Sequence, residues 1–324
     1  MKPSYDFIYL TNTPSFYKLN LCHEIAQQHS LLLVLYGYGS EAVNKVLTGN
    51  SGWAFDYYFL DDGDAHRRHK LRVLARLLRL MRRIQCRKVL YAGWLAPEYN
   101  LYAFFSPRHK NVMVCESSIF DVSFSGLKGE LKRAVIHRMG SALPSGLPHR
   151  QLFERIGFRG TLHITGSVGI FNKGLRNLNR QLHQPLRYLY VGRLVEVKNV
   201  SLLIEEFNRN GKSLTIVGSG ILESALRQKA QTNIRFTGFV ANEQLGAIYQ
   251  AHDVFILPSC HEPWGLVVEE ALYWGLPVIV SNRVGSSIDM VKNLGTGVLF
   301  RSNDPDSLHA AIDELEQHYC RYLQ

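Results

Sequence analysis

Cysteine is scarce in this chain of 324 residues: Cys22, Cys86, Cys115, Cys260 and Cys320 are widely scattered, and none forms a CxxC pair. That argues against a disulfide framework or a paired-thiol metal site and suits reduced thiols in a cytosolic compartment. Long apolar runs are missing too. None reaches the roughly 18 residues that a bilayer span requires, and the opening "MKPSYDFIYLTNTPSF" lacks an apolar core ending in small residues. The expectation is a cytoplasmic protein, neither secreted nor membrane-spanning. Acid is the third shortage. Lys and Arg number 37 against 27 Asp and Glu, a formal charge of +10, which favours an anionic partner: nucleic acid, phospholipid or a phosphorylated ligand.

What is present reads as α/β. Composition is that of an ordinary globular protein, 46% hydrophobic and 20% charged, and the length suits two domains at roughly 100–200 residues each. Apolar β-rich runs such as "DFIYLT", "SLLLVLYG" and "KVLYAGW" alternate with helix-period segments such as "LRVLARLLRLMRRIQ", the signature of parallel sheets. A second series, from "LRYLYVG" through "DVFILPS" to "GVLF", repeats the rhythm after the polar "NKGLRNLNRQLHQP". The expected organisation is a Rossmann-like domain over 1–170, a linker over 171–185, a second Rossmann-like domain over 186–305 and a closing helix over 306–324.

Chemistry concentrates in the second half. In "PSCHEPWGLVVEEALYWG", residues 258–275, a strand ends at Pro258, and Pro263 suits the first helical position. The following amides, of Trp264, Gly265 and Leu266, would then have no intrahelical acceptor and form an anion site. Glu262 just before the helix and Glu270 within it could hold hydroxyls at opposite ends of a ligand with an anionic middle, which describes a sugar nucleotide. The plainer alternative is a helix cap and a solvated carboxylate. Arg193 and Lys198 follow the strand "YLYVG", where cations meet ligands of α/β sheets, and Gly218 and Gly220 of "TIVGSG" let the chain turn tightly beside one.

These segments, "VGRLVEVKNVSLLIEEF", "IVGSG" and "FILPSCHEPWGLVVEEALYWGLPVIVSNRVG", resemble the retaining family 4 glycosyltransferases across about residues 187–300. The resemblance implies a GT-B fold, two Rossmann-like parallel-sheet domains facing across a cleft. It implies Arg193 and Lys198 on the donor diphosphate, Glu270 on the ribose, and Glu262 with backbone groups of Trp264, Gly265 and Leu266 on the donor sugar and its phosphates. No metal or cofactor is expected beyond the nucleotide sugar, UDP-linked rather than GDP-linked, and the closing helix packs back on the first domain. The first half departs from the pattern: "YLTNTPSFYKLN" has no glycine, so Thr11, Asn12, Ser15 and Tyr17 are offered as acceptor contacts. Glu116 after the strand "NVMVC" either faces the cleft as a catalytic residue or is a satisfied strand-end carboxylate.

Rival motifs carry less. Asp62 and Asp64 of "DDGD" suit helix capping better than a metal site, and Cys260-His261 has no second pair at ligand spacing. Gly37, Gly39 and Ala42 echo a dinucleotide fingerprint but lie on the second strand, which weakens an NAD-type oxidoreductase reading. Residues 66–88, "HRRHKLRVLARLLRLMRRIQCRK", hold ten Lys or Arg and no acid. With Leu71, Leu74, Leu77, Leu78, Met81 and Ile84 packed inward, Arg72, Arg76, Arg79 and Arg83 would form an exposed row facing an anionic membrane. RNA is the rival partner, and no RNA-binding signature accompanies the charge. The expected activity is transfer of a sugar to a saccharide or lipid-linked acceptor in cell-surface polysaccharide or lipopolysaccharide biosynthesis.

Overall fold

The computed structural model describes residues 2–12, 15–36, 52–61, 69–94, 96–120, 122, 124–170, 173–176 and 182–323. Asp62, Asp64, Gly37, Gly39 and Ala42 lie outside them. The chain divides into two units, Met1–Val168 and Gly169–Gln324. The first contains β1 (Ser4–Thr11), α1 (Phe16–Ala26), β2 (Leu31–Leu35), β3 (Asp56–Phe59), α2 (Lys70–Arg83), β4 (Gln85–Ala92), α3 (Pro97–Tyr102), β5 (Asn111–Cys115), α4 (Gly126–His137), β6 (Ser141–Pro144), α5 (Leu147–Arg155) and β7 (Thr161–Leu162). The second contains β8 (Arg187–Val191), α6 (Val200–Asn210), β9 (Ser213–Val217), α7 (Glu223–Lys229), β10 (Ile234–Gly238), α8 (Asn242–Gln250), β11 (Val254–Leu257), α9 (Leu266–Tyr273), β12 (Val278–Ser281), β13 (Gly297–Phe300), α10 (Pro305–Gln317) and α11 (Tyr319–Tyr322).

Both sheets are parallel. The first has the order β3-β2-β1-β4-β5-β6-β7 and the second β10-β9-β8-β11-β12-β13. Parallel strands are covered on both faces, so they need near-continuous apolar sequence: all five residues of β2 and all four of β11 are buried. The alternation of side chains assigns the faces. Ile8 and Leu10 of β1 join one core of the first unit, while Tyr9 between them joins the core on the other face. Each sheet reverses its strand order once, at β1/β4 and at β8/β11, and such switch points are where ligands bind outside the carboxyl ends of α/β strands.

Several expectations change in detail. Residues 173–176 and 182–185 belong to the second unit rather than to a free linker: Tyr273 donates to the Gly174 carbonyl at 2.9 Å, and the His183 ring lies 3.0 Å from the buried Asp253 carboxylate. The buried face of the closing helix, Leu308, Ala311, Ile312 and Leu315 of α10 with Tyr319 and Tyr322 of α11, sits in the second unit's own core. The basic segment is helical over Lys70–Arg83 and becomes β4 at Gln85. Its inward face is rotated from the expected stripe: Val73 and Leu77 are buried and Leu80, Met81 and Ile84 pack on the core, whereas Leu71 is 72% exposed. Arg76 leaves the exposed row, because its guanidinium donates to the Leu60 carbonyl at 2.7 Å and to Asp61 at 3.2 Å. Arg72, Arg79, Arg82 and Arg83 remain exposed.

Candidate active site

The loops that leave β8 and β11 flank the switch point of the second sheet. The first, residues 192–199, ends in a 3-10 turn over Glu196–Lys198 and a left-handed Asn199, φ 51°, that turns the chain into α6. The second, residues 258–265, leads into α9. They are tied to each other, since the Cys260 amide donates to the Val197 carbonyl at 2.8 Å and the Lys198 ammonium pairs with the Glu262 carboxylate. Ser259 reaches the same Glu262 oxygen at 3.5 Å.

Helix α9 begins at Leu266, three residues later than the position of Pro263 suggested. The delay has a cause. Residues 262–264 are held extended against the loop after β12: Glu262 bridges Val284, the Gly285 amide donates to the Glu262 carbonyl at 2.9 Å, and the Ser286 amide donates to the Trp264 carbonyl at 3.0 Å. Gly265 then turns the chain with φ 93°, a conformation that disfavours a side chain, and an added Cβ would lie 3.0 Å from Val284. The open amides at the helix start therefore begin at Leu266, and Trp264 and Gly265 form the approach to it. Because helix starts only after Glu262, the span from Glu262 to Glu270 is not a straight helical run.

The two carboxylates occupy different environments. Glu262 is paired with Lys198, so these two expected site residues stand together as one ion pair. Glu270 is largely buried and accepts from the Tyr249 hydroxyl at 2.9 Å. Burial raises its carboxyl above the usual range, and the Tyr249 bond partly opposes that rise. Its neighbour Glu269 faces elsewhere, hydrogen-bonded to the Trp264 indole, and burial pushes its carboxyl up to about 7. Arg193 is exposed and has no ion-pair partner among the described residues. Its carbonyl accepts from the buried Tyr190 hydroxyl at 3.0 Å, which fixes the start of the loop.

Gly218 and Gly220 have a structural reason that the sequence did not reveal. Gly218 has φ 129°, and a Cβ there would lie 2.0 Å from the Gly192 carbonyl oxygen. One at Gly220 would lie 2.3 Å from that of Leu194. The loops after β8 and β9 pack backbone to backbone, with the Leu194 amide donating to Ser219 at 2.9 Å. These glycines shape the site by allowing that approach.

In the first unit, Glu116 follows the carboxyl end of β5 and lies 3.9 Å from Lys18 of α1. Thr11 is buried, its hydroxyl 3.3 Å from the Asn12 side chain, and the Asn12 carbonyl accepts from the Tyr36 amide at 3.0 Å. Ser15 precedes α1, with Tyr17 half-buried in its first turn. Tyr249, Tyr190 and Lys18 were missed by the sequence reading. Tyr249 and Lys18 act on residues distant in the chain, so no local spacing pointed to them, and Tyr190 lies only three residues before Arg193, within a strand read as an apolar run.

The model of the family described as glycosyl transferases group 1 matches residues 176–321. Over that part the chain is similar to the group 1 glycosyl transferases. An uncharacterized glycosyltransferase of Methanocaldococcus jannaschii is 34% identical over 136 residues, 39% of this chain and 35% of that protein. A GDP-mannose-dependent alpha-mannosyltransferase of Mycolicibacterium smegmatis is 34% identical over 129 residues, 40% of this chain and 33% of that protein. The chain thus aligns with about a third of the length of these curated relatives. Among solved structures, the Anabaena protein HepE in complex with UDP and glucose superposes with a TM-score of 0.71 at 15% identity, covering 98% of this chain and 91% of that one. The lipopolysaccharide outer core galactosyltransferase WaaB superposes with a TM-score of 0.70 at 14% identity, covering 97% and 91%. These likenesses establish the fold, GT-B, with its two Rossmann-like parallel-sheet domains. No helix among the described residues is long and apolar enough to cross a membrane.

Proposed function

We propose that the protein is a retaining family 4 glycosyltransferase. It moves a sugar from a nucleoside diphosphate donor, UDP in preference to GDP, to a saccharide or lipid-linked acceptor in cell-surface polysaccharide or lipopolysaccharide biosynthesis. The observation that carries this reading is the switch point of the second sheet, where an open Arg193, the Lys198–Glu262 pair and the start of α9 converge within the group 1 segment. The solved neighbour that holds UDP and glucose supports the choice of donor.

Departure of the leaving group places charge on the diphosphate and leaves an oxocarbenium-like sugar, so fixed cations and amides lower the barrier electrostatically. Arg193 and Lys198 meet the diphosphate, Glu262 holds the Lys198 ammonium in place beside the donor sugar, and Glu270 accepts from the ribose hydroxyls. These cations take the place of a metal ion. The face of α2 that carries Arg72, Arg79, Arg82 and Arg83 rests on anionic lipid at the cytoplasmic side of a membrane. Hydrolysis of a panel of sugar nucleotides without acceptor tests the reading, with the anomer of the released sugar followed by NMR and EDTA present. One UDP-sugar should turn over with retention and without sensitivity to EDTA. Inertness of every donor would overturn it.

A further inference from the structure

The formal charge is not shared between the two units. Met1–Val168 holds 22 Lys and Arg against 12 Asp and Glu, whereas Gly169–Gln324 holds 15 of each, so the whole +10 belongs to the first unit. That unit also shows large apolar side chains to solvent. Leu127 and Leu131 stand one turn apart on the outer side of α4, 91% and 60% exposed. Phe105, in the turn that closes α3, is 68% exposed and lies four residues after the half-exposed Leu101. Leu101 and Leu131 wall the same cleft between α3 and α4, which joins these side chains into one patch. Single exposed apolar residues are ordinary, but a contiguous group marks a surface that something covers. The basic row lies on the same side of the unit. Val73 and Leu77 of α2, Tyr99 of α3 and Val135 of α4 pack into one core, on the face of the sheet opposite α1, and α2 lies against α3. The exposed Arg72, Arg79, Arg82 and Arg83 of α2 therefore share a face with the apolar patch, and the exposed Lys128 lies within it. Glu130, next to Leu131 in sequence, is neutralised by its ion pair with Arg133.

We propose that the first unit inserts Leu127, Leu131 and Phe105 into an anionic bilayer, with Lys128 and the arginines of α2 at the level of the lipid phosphates. Apolar anchors beside a cationic face are the makeup of an interfacial surface, which enters the boundary of headgroups and acyl chains by roughly 5–10 Å without spanning the membrane. A second copy of the chain is the rival occupant, and charge argues against it. Two such units meeting through this face would bring two formal charges of +10 together, whereas anionic lipid is complementary to each. The choice of anionic lipid rests on the membrane reading given for α2. Insertion goes beyond that reading, since the arginines by themselves would hold the protein at the surface with no side chain among the acyl chains.

Flotation of the full chain with phosphatidylcholine vesicles, with and without phosphatidylglycerol, tests the proposal at about 0.1 M salt. The unaltered chain should float with the phosphatidylglycerol vesicles. Leu127→Ser with Leu131→Ser should weaken that partition at least about ten-fold, and the melting temperature should not change, because both side chains are exposed. Depth has its own readout. Lipids brominated on the acyl chain should quench the added indole of Leu127→Trp beyond the quenching of the unaltered chain, and should leave that of Phe16→Trp, on α1 at the opposite face of the sheet, unquenched. Equal partition of the double variant, or no added quenching in Leu127→Trp, would overturn insertion and leave the electrostatic attachment of α2 standing. An unaltered chain that ignores phosphatidylglycerol vesicles would overturn both. Concentration-dependent dimerisation abolished by the two leucine changes would give the face to a second copy and overturn the proposal as well.

Discussion

The two switch points of this molecule are built from different materials. At β8/β11 the loops are charged and tied to each other: Lys198 pairs with Glu262, Cys260 bonds Val197, and Leu194 bonds Ser219 across glycines that tolerate no side chain. At β1/β4 the loops carry Asn12 and Trp94, the longer Lys18–Glu116 contact joins α1 to the end of β5, and a cavity with apolar walls lies between α3 and α4. A diphosphate between two hydroxyl-rich ends demands particular charges at fixed positions. An apolar wall can be made from many residue sets. The same topology thus yields one site written as a motif and another written as a shape.

The sharpest way to break the comparison is at Arg193. An open cation that meets charge growing in the transition state should cost about 10²–10³ in turnover when removed, or about 2.7–4 kcal/mol. Arg193→Ala should show that loss with an unchanged melting temperature, because the side chain is exposed. Lys198→Ala should lose as much turnover and also some stability, since it strands a carboxylate, Glu262, whose side chain is 14% exposed. Both variants keeping more than half of the original rate would remove the diphosphate assignment.

The basic helix tests whether the first unit also depends on charge. Each Lys or Arg near an anionic membrane contributes about 1 kcal/mol, within a Debye length of roughly 10 Å at 0.1 M salt. Changing Arg72, Arg79, Arg82 and Arg83 together to Gln should remove about 4 kcal/mol, enough to abolish flotation with anionic liposomes and leave donor hydrolysis intact. Arg76→Gln should instead lower stability with little effect on flotation, because its guanidinium is spent on Leu60 and Asp61. Equal flotation of the four-fold variant and the unaltered chain would end the membrane assignment.

What could be read from the sequence follows the same division. The central strands of the second unit were visible because buried parallel strands such as "DVFILPS" must be continuous apolar runs. In the first unit β6, "SALP", escaped because it is four residues long and ends in proline, and α3 and α5 because they are short. The E-x7-E spacing located Glu262 and Glu270. It did not reveal the Lys198–Glu262 pair or the Tyr249–Glu270 bond, which join residues 64 and 21 positions apart. The rotation of α2 was missed because Leu71 and Val73 are equally apolar, and contact with the sheet decides which is buried.

The two carboxylates sharpen the account of the charged site. Glu270→Ala should weaken UDP binding about ten- to hundred-fold, since hydrogen bonds to a charged group contribute about 1.5–3 kcal/mol each. Glu262→Ala should leave UDP affinity nearly unchanged, because the lost positioning of Lys198 is offset by the lost negative charge beside the diphosphate, and should cut sugar transfer. Calorimetry on both variants checks the difference. Equal loss of UDP affinity would reverse the polarity assigned to the donor.

The smallest expected effect is at Glu269, and it separates folding from chemistry. Its carboxyl titrates near 7 in the folded protein against an ordinary value near 4.5, chiefly because it is buried. Between those values the native state holds a proton that the unfolded chain releases, so this group's contribution is complete below about pH 4.5 and is lost as pH rises through 7. Glu269→Gln keeps an acceptor for the Trp264 indole and cannot ionise. The variant should match the unaltered chain in denaturant unfolding near pH 4.5 and exceed it by on the order of 1–2 kcal/mol at pH 8, a shift discounted for partial exposure. Sugar transfer should stay unchanged at both pH values, because the proposed donor site uses Glu270 and not Glu269. A stability difference that is the same at pH 4.5 and pH 8 would show that Glu269 titrates alike in the folded and unfolded protein, and that burial at this turn of α9 is weaker than the structure indicates.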